Sequence, residues 1–156
     1  MGITGSQETW NRPKGTQTMK AILVIGLILL PFPTLAAEKH DEAEKHAVAA
    51  AESWLSLVDE GKYAESWDTA AEYLKNAVTK DHFVKSLNAA RKPLGKLKSR
   101  EVKSKEYRTS LPGAPDGEYV VIQFKTSLEN KKSAIETVTP MLDKDGNWKV
   151  SGYYIR

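Results

Sequence analysis

No cysteine occurs in the 156 residues. A disulfide framework is therefore excluded, and the fold must rest on its core. A lipid-modified N-terminal cysteine and a thiolate nucleophile are excluded with it. No Asn-x-Ser/Thr sequon, Gly-x-Ser-x-Gly elbow or Ser-x-x-Lys motif is present, so the local signatures of serine nucleophiles are missing. Phosphate-loop, dinucleotide, zincin and EF-hand patterns are also lacking. There are only three histidines, His40, His46 and His82. No long apolar run occurs after residue 37.

Before that point there is one. Met19-Lys20 leads into the ten apolar residues Ala21 to Leu30, followed by Pro31-Phe32-Pro33-Thr34-Leu35-Ala36-Ala37. A charged start, a short apolar stretch and small residues at a cleavage position are the three parts of a secretory signal peptide. A membrane anchor needs about 20 apolar residues, and Pro31 and Pro33 cut this run short. Residues 19–37 are thus expected to be a signal peptide cleaved after Ala36 or Ala37, leaving no stable membrane span. No Arg-Arg pair precedes the run, which argues against a twin-arginine signal. The polar residues 1–18 read as a disordered start-site extension, with translation beginning at Met19. The expected location is periplasmic or secreted, in a bacterium.

What remains, 38–156, is enough for a single domain with its own core. From Glu38 onward 20 Lys/Arg stand against 19 Asp/Glu, a net of +1. Lys85 to Arg108 is locally basic, with nine bases and two acids. Such a stretch can attract an anionic partner, but it reads more simply as a helix end and a lysine-protected edge strand. A nucleic-acid role is not expected, because Tyr107 is the one aromatic in the basic run.

The first half is helical in period. Ala47, Ala50, Ala51, Trp54, Leu55 and Val58 make a buried stripe, after an N-terminus expected to fray around His40 and His46. Gly61 ends that helix. A second helix is expected over Tyr63 to Ala77. A third follows an N-cap at Thr79, from Lys80 to about Arg91, with Phe83, Val84, Leu87 and Ala90 inward. Pro93 and Gly95 close it. The second half alternates: strands are expected over Lys98–Tyr107, Glu118–Ser127, Ser133–Leu142 and Trp148–Arg156. Pro140 marks a bulge or edge, and Asp143 to Asn147 a hairpin turn. The expected fold is α+β: about three N-terminal helices on a four-stranded antiparallel meander, a cystatin-like or NTF2-like cone by analogy.

Several blocks together resemble the DUF4019 family. They are Ala50-Ala51-x-x-Trp54-Leu55-x-Leu57-Val58-Asp59-x-Gly61-x-Tyr63-x-x-Ser66-Trp67, Pro93-Leu94-Gly95, Ser110-Leu111-Pro112-Gly113-Ala114-Pro115-Asp116-Gly117-Glu118-Tyr119, Glu136-Thr137-Val138-Thr139-Pro140-Met141, and Trp148-x-Val150-Ser151-Gly152-Tyr153-Tyr154-Ile155. The resemblance implies a bacterial exported protein of unknown function and supplies no catalytic residue to carry over.

Candidate chemistry is sparse. His40 with Glu44, or Glu42 with His46, would share a helix face, but two ligands make a poor metal site, and neither metal nor cofactor is expected. Trp54, Trp67, Phe124 and Trp148 read as core. Tyr73, Tyr119 and Tyr153 are candidate pocket liners, because a tyrosine joins an apolar body to a polar tip. Glu136 lies mid-strand, where a carboxylate needs water or a partner. A water-facing position is the simpler expectation; a cleft with Arg91 or Arg100 is the other. The functional order is a non-enzymatic binding module for a small molecule or an envelope protein, then an accessory protein, then an NTF2-like enzyme using Glu136 as general base.

Overall fold

The computed structural model describes residues 1, 2 and 35–156. The extension and the signal segment lie outside the described residues, apart from 1, 2 and 35–37. Two units divide the chain, 1–32 and 33–156, and every element below belongs to the second.

Helix α1 spans Leu35–Asp59, α2 Tyr63–Asp68, α3 Glu72–Ala77 and α4 Lys80–Arg91. A 3-10 turn, Lys92–Leu94, leads into β1 Leu97–Arg108, β2 Tyr119–Leu128, β3 Lys131–Leu142 and β4 Trp148–Ile155. The strands form one antiparallel sheet in the order β1-β2-β3-β4. The chain is α+β, with all helices preceding the sheet. No helix of the described residues is long and apolar enough to cross a membrane.

Ala47, Ala51, Trp54, Leu55 and Val58 of the α1 stripe are buried as their spacing predicts, Ala50 is only half-buried, and α1 touches all four strands. Ala47 and Ala51 are small enough to let the helix approach the sheet. Trp54, Leu55 and Val58 then fill the space against Val120, Ile122, Phe124, Val138 and Val150. Burying each such side chain contributes about 1.5–3 kcal/mol. The indole N–H of Trp54 donates to the Ser66 carbonyl at 2.7 Å, so its one polar group is satisfied inside the core. Gly61, at φ 75°, turns the chain out of α1.

Three expectations need correction. The helix expected over Tyr63 to Ala77 is two helices. Thr69 donates its hydroxyl back to the Glu65 carbonyl at 3.1 Å. The Ala71 N–H leaves the helical ladder for the Val150 carbonyl of β4 at 2.9 Å. The Asp143 carboxylate then accepts from the Glu72 N–H at 3.1 Å and starts α3. These partners come from β4 and the hairpin before it, so no local pattern shows the break. The N-terminus around His40 is helical, and the His40 ring stacks on Tyr107 of β1 at 4.3 Å. Trp67 and Trp148 are half-buried, and Ala90 is exposed.

Pro140 sits in an interior strand. A register shift between Thr139 and Pro140 in the β3–β4 pairing marks a bulge there, which accommodates a residue that cannot donate to the ladder. Thr79 caps α4, its hydroxyl accepting from the His82 N–H at 3.4 Å.

Candidate functional site

The helix layer and the sheet meet in a buried ionic cluster. Asp59 is the last residue of α1 and Arg91 the last of α4. Arg100 comes from β1, Thr126 from β2, Glu136 from β3 and Tyr153 from β4. Each long helix and each strand thus places one side chain at the same point.

Glu136 is 0% exposed. Its Oε2 accepts from Arg100 Nε at 2.7 Å and from the Thr126 hydroxyl at 2.6 Å. Its Oε1 accepts from the Tyr153 hydroxyl at 2.7 Å, with Arg91 Nη1 at 3.5 Å as an ion pair. Asp59 binds the same two arginines from the other side. Its Oδ1 accepts from Arg91 Nη2 at 2.6 Å, and its Oδ2 from Arg100 Nη1 at 2.6 Å. Two cations and two anions balance, which a buried site requires. Arg91 retains slack: it is 4% exposed, and its Nε and Nη1 have no hydrogen-bond partner among the described residues. Its position at the end of α4 suits a cation, since the helix dipole is negative there.

Burial alone would push the Glu136 carboxyl up, but the hydrogen bonds from Arg100 and Thr126 and the Arg100 charge outweigh it and hold the group below its ordinary value. Burial, with the adjacent Glu136 carboxylate, pushes the Tyr153 phenol well up. The pair is therefore an ionised acceptor and a protonated donor across neutral pH.

An apolar groove of about 320 Å³ adjoins the cluster at Tyr153. Leu74 of α3 and Phe83, Leu87 and Ala90 of α4 form one wall, and Tyr153, Tyr154 and Ile155 of β4 the other. Tyr154 is 62% exposed at its rim.

The water-facing expectation for Glu136 is thus overturned: the alternation Ala134, Glu136, Val138 places it on the buried face. Arg91, Glu136 and Tyr153 come together. Tyr73 and Tyr119 do not join them. The Tyr73 hydroxyl donates to the Gly113 carbonyl at 2.8 Å, and Tyr119, fully buried, donates to the Pro115 carbonyl at 2.6 Å. Both pin the loop between β1 and β2 and neither lines the groove. Sequence reasoning missed Asp59 and Thr126. Asp59 lies four residues after Leu55, on the buried stripe, where an acid at a helix C-terminus signals a cationic partner. Thr126 continues the alternation Ile122, Phe124. Among the described residues, no group of three or more His, Cys, Asp or Glu is arranged to hold a metal ion.

The chain belongs to the family described as a protein of unknown function, DUF4019, which matches residues 50–153. That span holds all six residues of the cluster. No curated protein and no solved structure matches the chain.

Proposed function

We propose that this family member is an exported, non-enzymatic binding module of the bacterial cell envelope, and that its ligand lies in the groove between α4 and the end of β4. The observation that carries the reading is the groove itself, an apolar trough open to solvent beside an otherwise packed core. Leu74, Phe83 and Ile155 gain from covering by an apolar ligand or an envelope protein, and Ser86 and Tyr154 can orient it. The cystatin-like or NTF2-like analogy belongs to the same proposal, because those folds also set a helical layer over a sheet beside a pocket. Residues 19–37 supply the export signal, and a periplasmic or secreted location follows from it.

The NTF2-like enzyme reading is weaker on one specific ground. A general base needs a free lone pair and a pKa near the working pH. Glu136 accepts from three groups and is held below its ordinary range. It behaves as a tie between helices and sheet.

The test is titration of the mature domain with dodecanoate, followed by tryptophan fluorescence and calorimetry. Binding that Ala90→Glu abolishes, with thermal stability intact, is the expected result. Absence of binding, or binding indifferent to that charge, removes the groove from the reading. Fractionation of cells carrying the full chain tests export: the mature N-terminus should be Ala37 or Glu38, and retention of the intact chain in the cytoplasm would exclude the envelope role.

A further inference from the structure

We infer that the groove takes an extended peptide, which adds to the free edge of β4 as a fifth strand while its alternate side chains enter the apolar trough. This rests on the reading of the groove as the ligand site and names the ligand class.

The phase of the β3–β4 ladder supplies the first observation. Ile135 and Arg156 exchange both backbone hydrogen bonds, at 3.0 and 3.1 Å. Thr137 and Tyr154 oppose each other two residues further in and are the next such pair. In an antiparallel ladder the intervening residues direct their N–H and C=O groups to the other side. Those residues are Tyr153 and Ile155, and β4 is the last strand of the sheet. Among the described residues, neither has a backbone partner beyond β4. Two donors and two acceptors thus stand in line, in sets about 7 Å apart, the spacing that an added strand satisfies.

The second observation is where this edge lies. Further back it is closed, because the Ala71 N–H occupies the Val150 carbonyl. The open part, Tyr153 to Arg156, coincides with the β4 wall of the groove. Backbone hydrogen bonding and an apolar slot for side chains are therefore side by side. An acyl chain would use the slot alone.

The opposite edge is a poorer host. That edge is strand β1. It carries register shifts between Leu97 and Ser99 and between Val102 and Ser104, with Lys98, Lys103 and Lys105 exposed along it. Bulges and lysines are the usual means of discouraging edge pairing. A second copy of the chain is disfavoured at β4 as well. Pairing two β4 edges would bring a second α3–α4 pair to the side of the sheet where the first already stands. A lone strand has no such attachment.

The test uses a capped hexapeptide alternating valine and threonine, the same peptide N-methylated at alternate amides, and dodecanoate, each added to the mature domain and followed by amide chemical shifts and calorimetry. The expected result is one peptide per domain, shifts centred on Tyr153, Ile155 and Leu87, and roughly tenfold weaker binding of the N-methylated peptide, from loss of about two hydrogen bonds. Ile155→Pro, which removes an outward N–H and no ladder bond, also trims the groove wall, so it should weaken both ligands, and the unmethylated peptide by a further several-fold. Should that variant fail to fold, the N-methylated peptide still decides. Dodecanoate binding without peptide binding overturns the strand-addition inference and leaves the groove standing. Failure of both ligands overturns both. Equal binding of the two peptides, or a dimer in sedimentation that Ile155→Pro dissolves, also overturns it.

Discussion

Arg100 and Asp59 meet in a two-pronged pair, Nη1 to Oδ2 at 2.6 Å and Nη2 to Oδ1 at 3.0 Å, which ties the end of α1 to the edge strand β1. The same guanidinium uses its Nε for Glu136. The guanidinium reaches the two carboxylates from three separate nitrogens in a fixed plane, a geometry that the single nitrogen of a lysine cannot reproduce. Arg100→Lys is therefore expected to cost about 2–4 kcal/mol, read from the urea midpoint at unchanged slope.

Removing one anion leaves two cations facing one. Glu136→Ala should cost about 3–5 kcal/mol, because an uncompensated charge remains buried. Glu136→Gln keeps the shape and some of the hydrogen bonds, so it should cost less. The comparison of their denaturation midpoints checks the order, and a larger loss for the glutamine would contradict it.

Acid should loosen the domain through the same group. The Glu136 carboxyl lies below its ordinary 4.5 in the folded chain. A depressed carboxyl contributes stability that is full above its unfolded value and lost as pH falls through the folded one. Stability should therefore be level around neutrality and decline below about pH 4.5. Glu136→Gln should lack that part of the decline. Urea midpoints at a series of pH values between neutrality and strong acid would show it.

Alkali acts through Tyr153. Its folded pKa is raised, so its stabilisation is present below the ordinary value near 10 and declines as pH rises beyond it. In an ultraviolet titration this phenol should ionise together with unfolding, and Tyr153→Phe should remove one late-titrating group.

Asp143 is predicted to govern α3 locally. Its Oδ2 accepts from the Glu72 N–H at 3.1 Å and its Oδ1 from the Lys144 N–H at 2.8 Å. Asp143→Ala should cost about 1–2 kcal/mol and speed hydrogen exchange over 72–77 more than over α1.

Much of this was legible in the chain. The stripe from Ala47 to Val58 and the alternation Val120, Ile122, Phe124 gave α1 and β2 directly, because helix and strand periods are local. Thr79 and Gly61 marked helix ends for equally local reasons, a side-chain oxygen and a left-handed turn. The break between α2 and α3 was not legible, since its partners Val150 and Asp143 lie about 70 to 80 residues away in sequence.

The candidate site divides in the same way. The sequence by itself determined that Glu136 stood mid-strand, with a cleft beside Arg91 or Arg100 as the alternative to a water-facing position, and that no cysteine or nucleophile motif was available. Only the tertiary structure decided that Asp59 completes the cluster, that Tyr73 of α3 and Tyr119 of β2 anchor the β1–β2 loop, and that the groove runs beside the outer edge of β4. Charge pairing and edge exposure depend on which elements end side by side. That is settled by packing α1 across four strands and α4 against α2, which no local pattern encodes.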